Sequence, residues 1–504
     1  MRALSLSALL AALLAAAQPP ECSVRDFATC STTEDQRDGV AAALAAAAGA
    51  NCTLVVDCAL LVRIGVDIAR PIFVESGSRV LFRGAGQLLV DNQMLPVFVF
   101  ANVRDIELLE WRMLYVGTQW YSFLNGTRTI NMRIGYYEQN GTVVPNAGDA
   151  PVGGTFNDVT LRDYYATHRN VSGYNPIWVG PNNLAAVFNF VGSTENVRVD
   201  GMLVNSSGTN AVDFVLNCFA FNLGFKSDQI ISSTTNTTSA TAAIPRGVSF
   251  TNMVLDGVYM GFVGSARDLV IANLTSYRYS DLQDPNGTAS SMGGCFPENT
   301  TSCWYPPPHL IYFNFNNALD APLWNANISI SDVLDVGARV GPNHRIGTSG
   351  NCLSLKIGAV NSSVRRYRSA RIDGAVDIVY AEGLSFRDMD LRYDSSFLQE
   401  TWPAWRFTRD GYHDISFENI VTTDVAAQNR YPPMWGNFDP NNTNILYRNV
   451  TFTVNNLYLG ITSNVTGQAA GSLRVYRDAL TGAEMTIDEN NVVRNVSAGS
   501  GFLV

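Results

Sequence analysis

Lysine is almost missing from this 504-residue chain: Lys226 and Lys356 are the only two. Charged residues of both signs make up 15%, histidines number four, and no basic cluster exceeds a few residues. With a net charge of −10, this excludes nucleic acid and anionic membrane surfaces as main partners. Scarce lysine beside abundant arginine reads as a compositional bias, such as a GC-rich genome produces, not as a phosphate-binding device. Beyond the first residues no apolar run reaches the roughly 18 residues of a spanning helix, which excludes membrane insertion. A dinucleotide fingerprint, P-loop, zincin helix, nucleophile elbow and Cys-x-x-Cys zinc spacing are all missing, together with the reactions they support. What is plentiful is apolar material, 46% of the chain, ample for a core and incompatible with disorder.

The opening MRALSLSALLAALLAAAQPP has one basic residue, an apolar stretch and a small-residue site at Ala15-Ala16-Ala17. It predicts a signal peptide over 1–17 and a secreted, extracellular protein. The closing AGSGFLV carries no hydrophobic tail for a lipid anchor. Eight cysteines, an even number, favour disulfides in such a compartment. Cys22, Cys30, Cys52 and Cys58 are expected to pair among themselves, and Cys295 with Cys303 across a short polar loop. Fifteen Asn-x-Ser/Thr sequons predict heavy N-glycosylation. Asn273, Asn327 and Asn449 sit in strand-like contexts where the triplet also arises by chance.

One helix is legible, from Thr33 through an alanine-rich run to a stop near Gly49. After it, short strands share a pattern of two alternating apolar residues, then Asn, Asp or Gly, then another apolar residue. Examples are Val159-Leu161-Asp163-Tyr164, Val197-Val199-Gly201-Met202 and Val248-Phe250-Asn252-Met253. The pattern returns around Asn273, Asp332, Asp388 and Asn419. Alternation turns two side chains into a core, and Asn, Asp or Gly takes a tight bend because it tolerates left-handed backbone angles. A chain that repeats strand, bend and strand without hairpin dipeptides or crossover helices is served by a coil of stacked parallel strands. Gaps of 21 to 59 residues between the marked positions fit one or two turns, some with inserted loops, and speak against a β-propeller.

The alanine-rich helix, NCTLVVDC, SGSRVLFRGAGQLLV with its Gly84-Ala85-Gly86 bend, YHDISFENIVTTD and RNVTFTV together resemble the pectin-lyase-like right-handed parallel β-helix superfamily. The resemblance covers residues 30 to 460. It implies an all-β, single-stranded right-handed parallel β-helix with an N-terminal α-helical cap, and a groove facing polysaccharide. The domain reading is 1–17 signal peptide, 18–460 β-helix with its cap, and 461–504 C-terminal cap or tail.

Glycoside hydrolysis needs two carboxyl groups flanking the bond. The Asn-Thr-Asp, Asp-Asp, Gly-His-Gly and Arg-Ile-Lys segments of polygalacturonase-type hydrolases are not in this sequence; Gly350-Asn351-Cys352 resembles the Gly-His-Gly strand with asparagine for histidine. Asp332 and Asp335 lie where a carboxylate pair is sought, though Asp332 holds the bend slot of Asn252 and Asn419. Lyases of this fold class instead use a basic residue to abstract a proton beside a uronate carboxylate that a cation neutralises. The densest supply of such groups runs from Gly337 to Asp377. His344, Arg345 and Lys356 are the candidates for base and neutraliser in a lyase; Asp335 with Asp373 would serve a hydrolase. Arg365 to Arg371 read as a solvated loop, and His168, His309 and His413 as structural or surface groups. Trp304, Tyr305, Trp402, Trp405, Tyr431 and Trp435 lie in loop-like segments suited either to sugar stacking or to packing.

These observations imply an exported carbohydrate-active enzyme, lyase or hydrolase, acting on an acidic extracellular polysaccharide. The rival is a non-catalytic secreted β-helix glycoprotein of a wall, adhesion or surface coat. No cofactor is required, and aspartate-rich turns admit Ca2+ without forming an EF-hand. An enzyme requires ionisable groups converging on one flank; a rod scatters them over different faces.

Overall fold

The computed structural model describes residues 19–63, 72–90, 97–101, 103–116, 137–139, 142–144, 186–191, 194–205, 219–223, 244–256, 260–279, 310–313, 325–339, 354–370, 376–393, 404–407, 411–424, 432–435 and 440–496. Strands dominate, and almost every pairing is parallel. They fall on three faces of one coil. The first face runs from Ile72–Phe73 through Phe98–Ala101, Ala186–Val191, Phe219–Leu223, Met260–Gly264 and Ile311–Phe313. It continues through 355–357, 376–378, Trp405–Phe407 and Met434–Trp435. The second and third faces are the two halves of long bent strands such as Glu195–Asn205, Arg246–Asp256, Arg267–Tyr279 and Thr443–Val454. Parallel strands joined by such connections are right-handed as a general rule.

Two columns of left-handed residues divide the faces, always five residues apart. Asp105, Asn196, Gly247, Asp268, Asn327, Asn361, Gly383, Asp414 and Asn444 form the first, between the first and second faces. Glu110, Gly201, Asn252, Asn273, Asp332, Arg366, Asp388, Asn419 and Asn449 form the second, between the second and third. Gly201, Asn252, Asn273, Asp332, Asp388 and Asn419, read from sequence as bends, all have φ between 54° and 73°; Asp163 lies outside the described residues. Side-chain amides link successive turns within each column, as from Asn273 Nδ2 to Asn252 Oδ1 at 2.7 Å and from Asn327 Nδ2 to Asp268 Oδ1 at 2.8 Å.

Between bends, alternation sends apolar residues inward, so one core runs the length of the coil. The rings of Phe98, Phe188, Phe221 and Phe262 stack at 5.4, 5.1 and 4.9 Å, nearly parallel. Phe386, Phe417 and Tyr447 do the same at 5.3 and 4.8 Å. The strand spacing of about 4.8 Å is itself an offset-stacking distance, so parallel register favours like rings on neighbouring turns.

The helix spans Arg37–Ala50, later at both ends than the sequence implies. Gly49 does not stop it; Asn51 does, with φ 51° and its N–H bonded to the carbonyls of Ala47 and Ala48. Val40, Ala43, Leu44 and Ala47 join the coil core. The disulfides Cys22–Cys52 and Cys30–Cys58 pair the four N-terminal cysteines among themselves. Cys295 and Cys303 lie outside the described residues. At the far end, Leu473–Asp478 adds a last parallel strand, and Glu484–Asp488 and Val493–Val496 follow antiparallel. Among the described residues no helix is long and apolar enough to cross a membrane.

Of the segment expected as a solvated arginine loop, residues 365–370 are instead the end of the strand Leu355–Ala370, and Arg371 lies outside the described residues. Arg366 is the bend residue, bonded through Nε and Nη2 to Asp332 at 2.5 and 2.7 Å. Trp405 is also relocated: it is buried between Phe386 and Phe417, with Nε1 donating to Thr422 Oγ1 at 2.9 Å.

Candidate functional site

Each three-residue strand of the first face has two inward residues around one outward residue. In Leu355-Lys356-Ile357 and Val376-Asp377-Ile378, the apolar pairs are fully buried, so Lys356 and Asp377 point outward. Parallel register then aligns Tyr312, Lys356, Asp377 and Arg406 across four successive turns. The Lys356 ammonium is 3.3 Å from Asp377 Oδ2 and 5.1 Å from the centre of the Tyr312 ring. Its side chain is 17% exposed, whereas that of Asp377 is covered completely. Asp377 therefore holds the ammonium in place from the neighbouring turn, and Lys356 is the member of the pair that a ligand can meet. A lysine fixed by a carboxylate and an aromatic face is a localised cation with little rotamer freedom left to lose.

Asp335 is a correction to the sequence reading. It sits at an inward position, between the exposed Leu334 and Val336, and is itself fully buried. Ser354 Oγ donates to its Oδ2 at 2.5 Å, and Ser354 Oγ also lies 2.7 Å from the Tyr367 hydroxyl. Ser276 and Ser369 neighbour it in register on the turns either side, both buried. Asp335 thus belongs to a polar seam inside the coil, facing away from any groove. Val333, directly after the bend, points inward, and alternation from it puts Asp335 inward two residues on.

Asp332 is at the second bend column, and the Arg366 guanidinium bonded to it holds its carboxyl below the usual range. His413 bonds Thr443 Oγ1 through Nδ1 at 2.8 Å, a contact between neighbouring turns. Burial and the nearby Glu382 carboxylate push the Tyr380 phenol up, with its hydroxyl donating to Glu382 at 3.2 Å. His344, Arg345 and Asp373 lie outside the described residues. Among the described residues no three His, Cys, Asp or Glu side chains converge to hold a metal.

The structure therefore brings Lys356 together with Asp377, Tyr312 and Arg406, and separates it from Asp335. Asp377 was within the dense segment read from sequence but was not singled out. Its signal was the motif itself, a polar residue between two β-branched residues in VDI, which marks an outward slot on a buried strand.

No protein-family model matches the chain, and no curated protein matches it. Among solved structures the chain is similar to the A-module of a mannuronan C-5 epimerase of Azotobacter vinelandii, with TM-score 0.43 and 13% identity over 89% of this chain and 95% of that one. It is similar to PfbA, a surface adhesin of Streptococcus pneumoniae, with TM-score 0.39 and 9% identity over 95% of this chain and 99% of the other. A family 28 exopolygalacturonase of Yersinia enterocolitica aligns with TM-score 0.40 and 11% identity over 87% of this chain and 72% of the enzyme. Likeness at this level belongs to architecture and assigns no reaction to this chain.

Proposed function

We propose that this protein is exported and acts on an acidic polysaccharide lying along the first face of the coil. The observation that carries the reading is the in-register row of Tyr312, Lys356, Asp377 and Arg406. An extended glycan along the axis crosses a turn about every 4.8 Å and meets Tyr312, Lys356 and Arg406, while Asp377 stays covered. The Tyr312 ring offers a surface for the apolar side of a sugar. Lys356 and Arg406 supply cations to a uronate carboxylate, and Asp377 positions the first of them.

The chemistry this row favours is of the lyase kind. The register neighbours of Asp377 are Lys356 and Arg406, not a second carboxylate, and a hydrolase needs two. A cation beside the uronate carboxylate stabilises the charge that develops when the neighbouring proton leaves. Lys356, His344 and Arg345 are the groups proposed to share the roles of base and neutraliser; Asp373 remains the hydrolase candidate. The reading routes no step through a cofactor. Residues 1–17 serve as the signal peptide in it, the helix Arg37–Ala50 caps the N-terminal end of the coil, and 461–504 are a C-terminal cap or tail.

The test is incubation of the secreted protein with a panel of uronate polymers, with and without EDTA, following the absorbance of unsaturated ends. Absorbance that is lost in Lys356→Met supports the lyase reading, and its loss with EDTA would assign a role to Ca2+. New reducing ends without absorbance would support hydrolysis. Retention on the polymer without either product would support the second reading, a non-catalytic surface glycoprotein, which the engagement of Lys356 by Asp377 also favours. No retention and no product would refute the proposal.

A further inference from the structure

The two bend columns carry an unexpected number of sequon asparagines. Asn327 and Asn361 lie in the first column, and Asn273 and Asn449 in the second, all exposed at left-handed bends; of these, Asn273, Asn327 and Asn449 reach back to the turn before. Each is followed two residues on by a hydroxyl residue, Ser329, Thr275 and Thr451, at an outward position of the next strand. Each also donates its side-chain amide to the preceding turn: Asn273 to Asn252 at 2.7 Å, Asn327 to Asp268 at 2.8 Å and Asn449 to Asn419 at 3.0 Å.

Commitment of an amide to a ladder does not make it unavailable for a glycan, because of the direction of its bonds. Asn419 donates through Nδ2 to Asp388 Oδ1 on the turn before and accepts through Oδ1 from Asn449 on the turn after. Asn252 likewise donates back to Asp200 and accepts from Asn273. The donating N–H and the accepting C=O therefore point in opposite directions along the axis. In a planar amide, that N–H is the hydrogen anti to the carbonyl. The second hydrogen, syn to the carbonyl and trans to Cβ, points away from the backbone into solvent.

A glycosylated asparagine is a secondary amide, and in its trans form it keeps the anti hydrogen and replaces the other. We propose that Asn273, Asn327 and Asn449 are N-glycosylation sites, and that each retains its ladder bond while carrying the glycan. In the transfer, Nδ2 loses one proton to a base and forms a bond to the anomeric carbon of a polyprenyl-pyrophosphate-linked oligosaccharide. The anomeric C–O bond breaks, and the pyrophosphate leaves with its electron pair. The donor sugar meets the chain before the coil closes, and the finished coil accommodates the product. Glycans would then line both edges of the second face, that of Asn327 standing on the turn of Tyr312. The inference rests on the reading that the protein is exported.

The experiment expresses the full chain in a eukaryotic secretory host and maps glycopeptides by mass spectrometry. Thr275→Ala, Ser329→Ala and Thr451→Ala each destroy one sequon but keep its ladder asparagine. The expected result is glycan on most molecules at Asn273, Asn327 and Asn449, loss of one glycan mass in each variant, and a melting temperature for the glycosylated protein no lower than for the variants. Empty ladder sites beside filled sequons elsewhere would overturn the proposal and leave export standing. Filled sites whose glycan lowers the melting temperature below that of the matching variant would overturn retention of the ladder bond. A chain with no sequon filled would overturn the export reading and this proposal together.

Discussion

Phe417 offers the sharpest test of the stacked-turn architecture. Its side chain is 1% exposed. The ring lies 5.3 Å from Phe386 and 4.8 Å from Tyr447, nearly parallel to both, and meets Trp405 edge-on at 5.3 Å. Truncation to alanine removes a buried aromatic side chain and leaves a cavity, costing about 3–5 kcal/mol. Phe417→Leu keeps much of the volume and forfeits mainly the ring–ring terms, about 0.5–1.5 kcal/mol for each pair. In a coil whose turns touch only their neighbours, the loss stays local. Because cooperativity breaks down in long repeat arrays, a global melt registers a weakened coil without saying which turn was weakened. Native-state hydrogen exchange reads each turn separately. Phe417→Ala should speed exchange roughly a hundred- to several-thousand-fold, at about 1.4 kcal/mol per tenfold, in strands His413–Asp424, Val376–Tyr393 and Thr443–Val454. Strand Glu195–Asn205, many turns away, should be unchanged. An effect below about tenfold at the substituted turn, or equal loss of protection in Glu195–Asn205, would refute the stacked-turn reasoning.

Three further outcomes follow from single sites. A Cβ on Gly86 would lie 1.9 Å from the Val56 carbonyl oxygen, a backbone atom that cannot yield, whereas Gly84 at φ +59° has open space around it. Gly86→Ala should therefore abolish recovery of folded protein, while Gly84→Ala costs only the left-handed penalty of about 1–2 kcal/mol, read as a small drop in melting temperature. Arg366 depresses the carboxyl of Asp332 in the folded state, so that pair stabilises above the unfolded-state value and is lost as pH falls through the folded one. Because both side chains are more than 40% exposed, Asp332→Asn should cost at most about 0.2–1 kcal/mol at neutral pH, a difference that vanishes in acid melts. Replacing Cys30 and Cys58 together by serine opens a 28-residue separation. It should cost about 2–5 kcal/mol, seen as lost exchange protection in the helix Arg37–Ala50 and not beyond Glu195.

Local chemistry made the bends legible. A left-handed residue strains most side chains and favours Asn, Asp or Gly, so Asn252, Asn273, Asp388 and Asn419 announced themselves without any knowledge of their neighbours. The first column, five residues upstream, uses the same residue types and was legible by the same rule. Arg366 and Glu110 were not: nothing in their chemistry favours positive φ, and the turns stacked on either side impose it. The pairing of the four N-terminal cysteines likewise followed from composition, though not which bonded to which.

The sequence by itself thus determined the coil: apolar alternation, bend residues and a helix ahead of all the strands but the short one at Glu21–Ser23. Only the tertiary structure decided which ionisable groups meet. Asp335 and Asp377 look alike in sequence, yet one is buried in a seam with Ser354 and the other anchors Lys356 on the outer face. The reason is that the number of residues separating stacked neighbours differs from turn to turn. Which side chains become partners is therefore set by the register between turns, a relation among distant segments that no local pattern carries.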